Sequence, residues 1–273
     1  MMLQVDGRAA YAYTGGKTFD PALPCIVFIH GAMNDHSVWT LLARWFAHHG
    51  YGVLAVDLPG HGRSAAPLLA DVQALAHWIW HLLDAVGVQQ AALAGHSMGS
   101  MIALEAAGQA PQRASHLLML ATAYPMKVSP ALLLLAVEAP LQAIDRVNNF
   151  SHSTWAAKPS YPGPGAWLHG GGRALMRQLQ ARQMRLTQTN LFAHDFGACD
   201  AYSGGLQAAA KVRCPVSLIL GTRDQMTSPK QTQSLIDALK PTVHHLPAGH
   251  ALMAEAPDQV LAALRQALSP AAA

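Results

Sequence analysis

A serine stands between glycines in the stretch Ala94-Gly95-His96-Ser97-Met98-Gly99-Ser100, with the apolar run Ala91-Ala92-Leu93 before it and Met101-Ile102-Ala103-Leu104 after it. The five central residues fit Gly-x-Ser-x-Gly, a pattern that exposes a serine hydroxyl on a sharp turn between a strand and a helix. Small residues are needed two positions either side because the two backbones approach closely there. A serine hydroxyl is a poor nucleophile until a base takes its proton, and that base needs an orienting acid. In the order Ser, Asp, His the downstream chain offers one clear pair. Asp224, in Gly-Thr-Arg-Asp-Gln-Met, follows the apolar run ending at Leu220, and His250, in Pro-Ala-Gly-His-Ala-Leu, follows the run ending at Leu246. An anionic tetrahedral species also needs N–H donors. The spacing assigns these to Met98, which follows the nucleophile, and to Ala32 in His30-Gly31-Ala32-Met33, with the Met33 N–H as the fallback.

The elements that must position these residues alternate. Leu3–Val5 and Arg8–Tyr13 flank Asp6-Gly7 and read as a β-hairpin. Strands are expected at 25–29, 52–56, 90–94 and 116–121, and helices at 38–49, 72–86 and 98–108. After Ala123 the strands stop. They resume at 215–220 and 242–246, with helices at 230–239 and 257–268. Alternating strands and helices predict an α/β fold: a mostly parallel central sheet flanked by helices on both faces. The core domain is expected over 1–123 and 206–273, and a helical cap or lid over 124–205. Asp224, His250 and Ser97 then all fall at carboxyl ends of strands, the edge where such sheets place their sites.

Composition excludes several classes. Of 273 residues, 51% are hydrophobic and 12% charged, and the net charge is only +3 without a basic cluster, which argues against disorder and against a nucleic-acid footprint. The three cysteines, Cys25, Cys199 and Cys214, have neither disulfide nor zinc spacing. No membrane span, no signal peptide, no metal and no organic cofactor are expected, and the location expected is cytoplasmic.

Ile-His-Gly-Ala-Met-Asn-Asp-His-Ser-Val-Trp, Asp-Leu-Pro-Gly-His-Gly-Arg-Ser and the segments around Ser97, Asp224 and His250 together resemble the α/β-hydrolase superfamily, in matching order over about 1–123 and 205–268. The resemblance implies Ser97 as nucleophile, His250 as base and Asp224 as acid, in an esterase-like bacterial member. Members with an aspartate nucleophile depart from this chain at position 97. Phe192-Ala193-His194-Asp195-Phe196-Gly197-Ala198-Cys199-Asp200 is similar to part of the lid in a bacterial subgroup.

Other motifs have plainer readings. His169-Gly170-Gly171-Gly172 imitates a lipase oxyanion motif but follows the nucleophile, so it is expected to be a flexible lid turn. His77 and His81 lack the glutamate of a zinc peptidase. His244 and His245 point to opposite faces of a strand. Asp57 precedes the nucleophile and is a weaker candidate acid, while Asp195 and Asp200 read equally as structural or as substrate contacts. Contacts to a small-molecule substrate are expected at Met33, His96, Met126, Trp155, Phe196 and Met226, although His96 also fits a packing or hydrogen-bonding role. The activity expected is hydrolysis of an uncharged, moderately hydrophobic carboxylic ester of small to medium size through an acyl-enzyme. Carbon–carbon bond hydrolysis, lyase or perhydrolase chemistry on the same residues, or ligand binding without turnover, are the alternatives.

Overall fold

The computed structural model describes residues 1–153 and 165–269, so the candidate contact Trp155 lies outside the described residues. The chain opens with β1 (Met2–Val5) and β2 (Arg8–Tyr13), an antiparallel hairpin in which Val5 faces Arg8. Its two-residue turn has positive φ at both Asp6 (51°) and Gly7 (73°), the geometry that suits the twist of paired strands. Then follow β3 (Cys25–Ile29), α1 (Thr40–Ala47), β4 (Gly52–Asp57), α2 (Val72–Ala85), β5 (Ala91–His96), α3 (Met98–Gln109) and β6 (Ala114–Leu120). Helices α4 (Pro130–Glu138), α5 (Pro140–Ser151), α6 (Gly165–Thr187), α7 (Leu191–Ala201) and α8 (Gly205–Ala209) come next. The sheet resumes with β7 (Val216–Gly221), α9 (Gln233–Leu239), β8 (Thr242–Leu246), α10 (Leu252–Glu255) and α11 (Pro257–Leu268).

The eight strands form one sheet in the order β1-β2-β4-β3-β5-β6-β7-β8, with β1 and β2 antiparallel and the rest parallel. Strand β3 shows why the central runs are apolar throughout. Ile26 and Phe28 pack with Leu42 and Phe46 of α1 and Val260 and Leu264 of α11, whereas Val27 and Ile29 pack with α2 and α3 on the other face. A strand covered on both sides has no polar face to alternate with.

Two expected helices begin differently from their sequence reading. A 3₁₀ turn over His36–Trp39 precedes α1, because the Asp35 side chain accepts the Ser37 N–H and starts a tight turn there. A second over Pro229–Thr232, with Ser228 and Gln231 capping each other, precedes α9. A larger correction concerns residues 169–172, which lie inside helix α6 and not in a turn. The glycines are poor helix formers, but His169 O accepts from Asn148 Nδ2, and Asp145 on α5 grips both Arg173 and Arg177 one turn further along. Helices α4 to α7 share a hydrophobic cluster built on Ala136, Ile144, Met176, Leu179 and Phe192, which Met33 of the loop after β3 joins. Among the described residues no helix is long and apolar enough to cross a membrane.

Candidate active site

Strand β3 connects to its neighbour β4 on one side and β5 connects to its neighbour β6 on the other, so the connections out of β3 and β5 diverge at the carboxyl edge of the sheet and leave a crevice. Ser97 sits there, between β5 and α3, at φ 53° and ψ −119°. Few side chains adopt that conformation, and it is held here by hydrogen bonds from Ser97 N to Leu120 O (2.9 Å) and from Ser100 Oγ to Ser97 O (2.6 Å). The flanking glycines are steric necessities. A Cβ at Gly95 would run into Gly99 O, and one at Gly99 would lie 2.6 Å from His30 O and nearer still to Ile29 O.

Asp224 and His250 arrive on the loops after β7 and β8, and His250 Nδ1 lies 2.8 Å from Asp224 Oδ2. The carboxylate also accepts from Thr227 Oγ1 (2.7 Å), Thr227 N (2.9 Å) and Met226 N (2.8 Å). Burial by itself would raise its pKa, but His250 and the Thr227 donors outweigh this and hold it below the usual carboxylate range. A charged acceptor facing Nδ1 directs the Nδ1–H tautomer and leaves Nε2 as the basic nitrogen. His96 Nε2 donates to His250 O (2.9 Å), which pins the backbone of His250. Burial and then the neighbouring His250 push the His96 imidazole down to about 3, so it is neutral.

Ser97 and His250 line one cavity of about 420 Å³, together with Ala32, His96, Phe196 and Met226. Two further candidate contacts fall elsewhere. Met126 is buried against the sheet, and the Met33 side chain is buried in the cluster of α4 to α7; neither lines the cavity. The Met33 N–H is also removed as a fallback oxyanion donor, because it donates to Asp195 Oδ2 at 2.9 Å. Met98, whose side chain is buried, is the first residue of α3, where N–H groups lack partners within the helix. Asp57 is engaged by other partners than His250: its carboxylate accepts from His36 N (2.8 Å), His36 Nδ1 (2.7 Å) and Arg63 N (2.7 Å). Asp200 accepts from Val128 N at the start of the α4–α7 segment.

Thr227, Asn34 and His61 were not singled out in the sequence. Thr227 gives two donors to Asp224, Asn34 Nδ2 donates to Ala32 O (3.1 Å), and His61 Nε2 meets Asp195 Oδ2 at 3.0 Å. Only Thr227 had a local signal, a hydroxyl three residues after an acid in a loop.

A family model described as the alpha/beta hydrolase family matches residues 26–263, and the chain belongs to that family. Among curated relatives, the chain is 40% identical over 103 residues, 36% of its length, to 26% of the dihydrolipoyllysine-residue acetyltransferase component of the acetoin cleaving system of Pseudomonas putida. It is 30% identical over 135 residues, 49% of its length, to 44% of an sn-1-specific diacylglycerol lipase of Mus musculus. The matches thus span about a quarter and under half the length of these two relatives. The enol-lactonase of Burkholderia xenovorans LB400 superposes with a TM-score of 0.83 at 21% identity, covering 99% of this chain and 100% of that one, a likeness of fold.

Proposed function

We propose that this hydrolase is a serine esterase acting on an uncharged, moderately hydrophobic carboxylic ester of small to medium size. The observation that carries the reading is the convergence of Ser97 and the Asp224-oriented His250 on one cavity. No Lys, Arg, Asp or Glu side chain lines that cavity among the described residues, and leucine, valine, methionine and aromatic side chains dominate it. Asn34, Asn148, Ser151 and His152 offer hydrogen bonds there but no opposite formal charge, which favours an uncharged substrate with a few polar groups.

In this reading Ser97 Oγ attacks the ester carbonyl carbon while His250 Nε2 takes its proton. The N–H groups of Ala32 and Met98 receive the negative charge that develops on the carbonyl oxygen. His250 returns the proton to the leaving alcohol oxygen, and the acyl group stays on Ser97. Water then attacks the acyl carbon with His250 as base, which frees the acid and restores the serine. Asp224 holds the tautomer and stabilises the imidazolium. Helices α4 to α7 act as the cap over the cavity. Three free cysteines accord with a reducing, cytoplasmic setting. An enol-lactonase and a thermophilic esterase share this fold, at 21% and 20% identity, which accords with ester chemistry.

The test is hydrolysis of p-nitrophenyl esters of increasing acyl length by the wild type, Ser97→Ala and Asp224→Asn. Activity should vanish in the first variant and fall about 10⁴-fold in kcat in the second, with the fold intact. Unchanged turnover in purified Ser97→Ala would overturn the serine mechanism, and a wild type that cleaves no ester would overturn the esterase reading.

A further inference from the structure

Asp195, in the middle of α7, is a fully enclosed carboxylate far from Asp224 in the sequence, and the reaction as derived does not use it. Its contacts join separate parts of the molecule. Oδ2 accepts from Met33 N (2.9 Å), on the loop after β3, and from His61 Nε2 (3.0 Å), on the loop after β4. Oδ1 faces His194 Nδ1 at 3.2 Å. His61 Nδ1 lies 3.2 Å from Pro59 O, an acceptor only, so both ring nitrogens of His61 face acceptors, the arrangement of an imidazolium. A buried charged pair thus ties α7 to two loops of the sheet.

The loop after β3 needs such a tie. Met33 has φ 59°, in the left-handed region that side chains disfavour, so neighbours must hold it there. Its side chain is buried among residues of α5, α6 and α7, such as Ile144, Met176 and Phe192. Its N–H belongs to the peptide plane adjoining the one that carries the Ala32 N–H, and Ala32 borders the cavity beside Ser97.

Resting on the hydrolase reading above, we propose that Asp195 is a positioning residue for the oxyanion hole. By accepting the Met33 N–H it sets the orientation of the neighbouring Ala32 N–H. The helices between β6 and β7 therefore complete the catalytic loop as well as cover the cavity. The site is assembled only when α7 is seated on the sheet domain.

Asp195→Ala and Asp195→Asn separate this role from mere stability. Asparagine keeps an oxygen where Met33 N and His61 Nε2 donate; alanine leaves neither an acceptor. With turnover expressed per folded molecule, the alanine variant should lose about tenfold or more in kcat on a p-nitrophenyl ester, with KM changed less than threefold. The asparagine variant should recover most of that loss. Amide hydrogen exchange of the peptide containing Met33 should accelerate in the alanine variant and stay slow in the asparagine variant. Unchanged exchange in Asp195→Ala overturns the tie itself, and faster exchange with kcat within twofold of wild type overturns its role in positioning. A loss in KM alone, or equal kcat losses in both variants, does so as well. If Ser97→Ala retained the wild-type turnover, the serine reading would fall, while the exchange measurement would still report on the Asp195 link.

Discussion

Replacing Gly221 by alanine tests whether the separation of two loops governs the site. Gly221 is the last residue of β7, three residues before Asp224, and a Cβ there would lie 2.5 Å from Gly249 O and 2.6 Å from Ala248 O, just before His250. Real Cβ atoms essentially never come within 3.0 Å of such atoms, so the two loops must part by about 0.5 Å. Backbone cannot yield like the end of a flexible side chain. The same loops are joined by Thr222 N to Leu246 O (2.8 Å) and Arg223 N to Ala248 O (3.0 Å), so the strain spreads to the 2.8 Å bond between His250 and Asp224. Lengthened by that amount, the bond lies at the edge of hydrogen-bonding range. A misplacement of 1 Å costs about 10²-fold in rate, so about tenfold in kcat is expected here. Overpacking should also lower stability by about 1–3 kcal/mol. Stopped-time hydrolysis of a p-nitrophenyl ester beside a thermal melt measures both. A folded Gly221→Ala protein with kcat within threefold of wild type and an unchanged melting point would refute the reasoning.

Two further outcomes concern stability. Burial, first of all, pushes His30 down to about 4, and it does the same to His96, whose value is about 3. Below their ordinary value of ~6.5 the unfolded chain binds protons that these folded sites refuse, so stability falls as the pH drops from there to about 4. Each contributes up to about 1.4 kcal/mol per pH unit. His61 has the opposite sign: against the effect of burial, Asp195 raises its pKa, so its contribution is fully present below ~6.5 and is lost as pH rises through the raised value. The melting temperature should therefore fall by about 5 °C or more per pH unit below pH 6, and a flat profile from pH 6 to 4.5 would contradict this. Gly170 lies inside α6 and is exposed, and a Cβ there would meet nothing within 4 Å. Gly170→Ala should add about 1 kcal/mol, raising the melting point by about 2–4 °C while kcat stays within twofold, and a lower melting point would argue against a helix there.

What could be read from the chain alone was whatever local chemistry dictates. Apolar runs such as Cys25–Ile29 must be strands covered on both faces, and Asp6-Gly7 must turn. A serine between Gly95 and Gly99 must lie where strand and helix meet closely. Asp224 and His250 stand out because each follows an apolar strand by a few residues, so their placement at one edge of the sheet is a consequence of parallel topology. The Gly170 to Gly172 run shows the limit of such reading: glycine content argues for a turn, and only Asn148 and Asp145 on a neighbouring helix show why the segment is helical. The same holds for Asp195. Its partner Met33 is 162 residues away, and no periodicity or motif in either segment announces that a buried carboxylate will accept that N–H. His96 and the carbonyl of His250, 154 residues apart, meet for the same reason. Contacts of this kind arise only once the sheet has brought its loops to one edge and the helices after β6 have packed against them, since their energy depends on burial and distance and not on sequence neighbours.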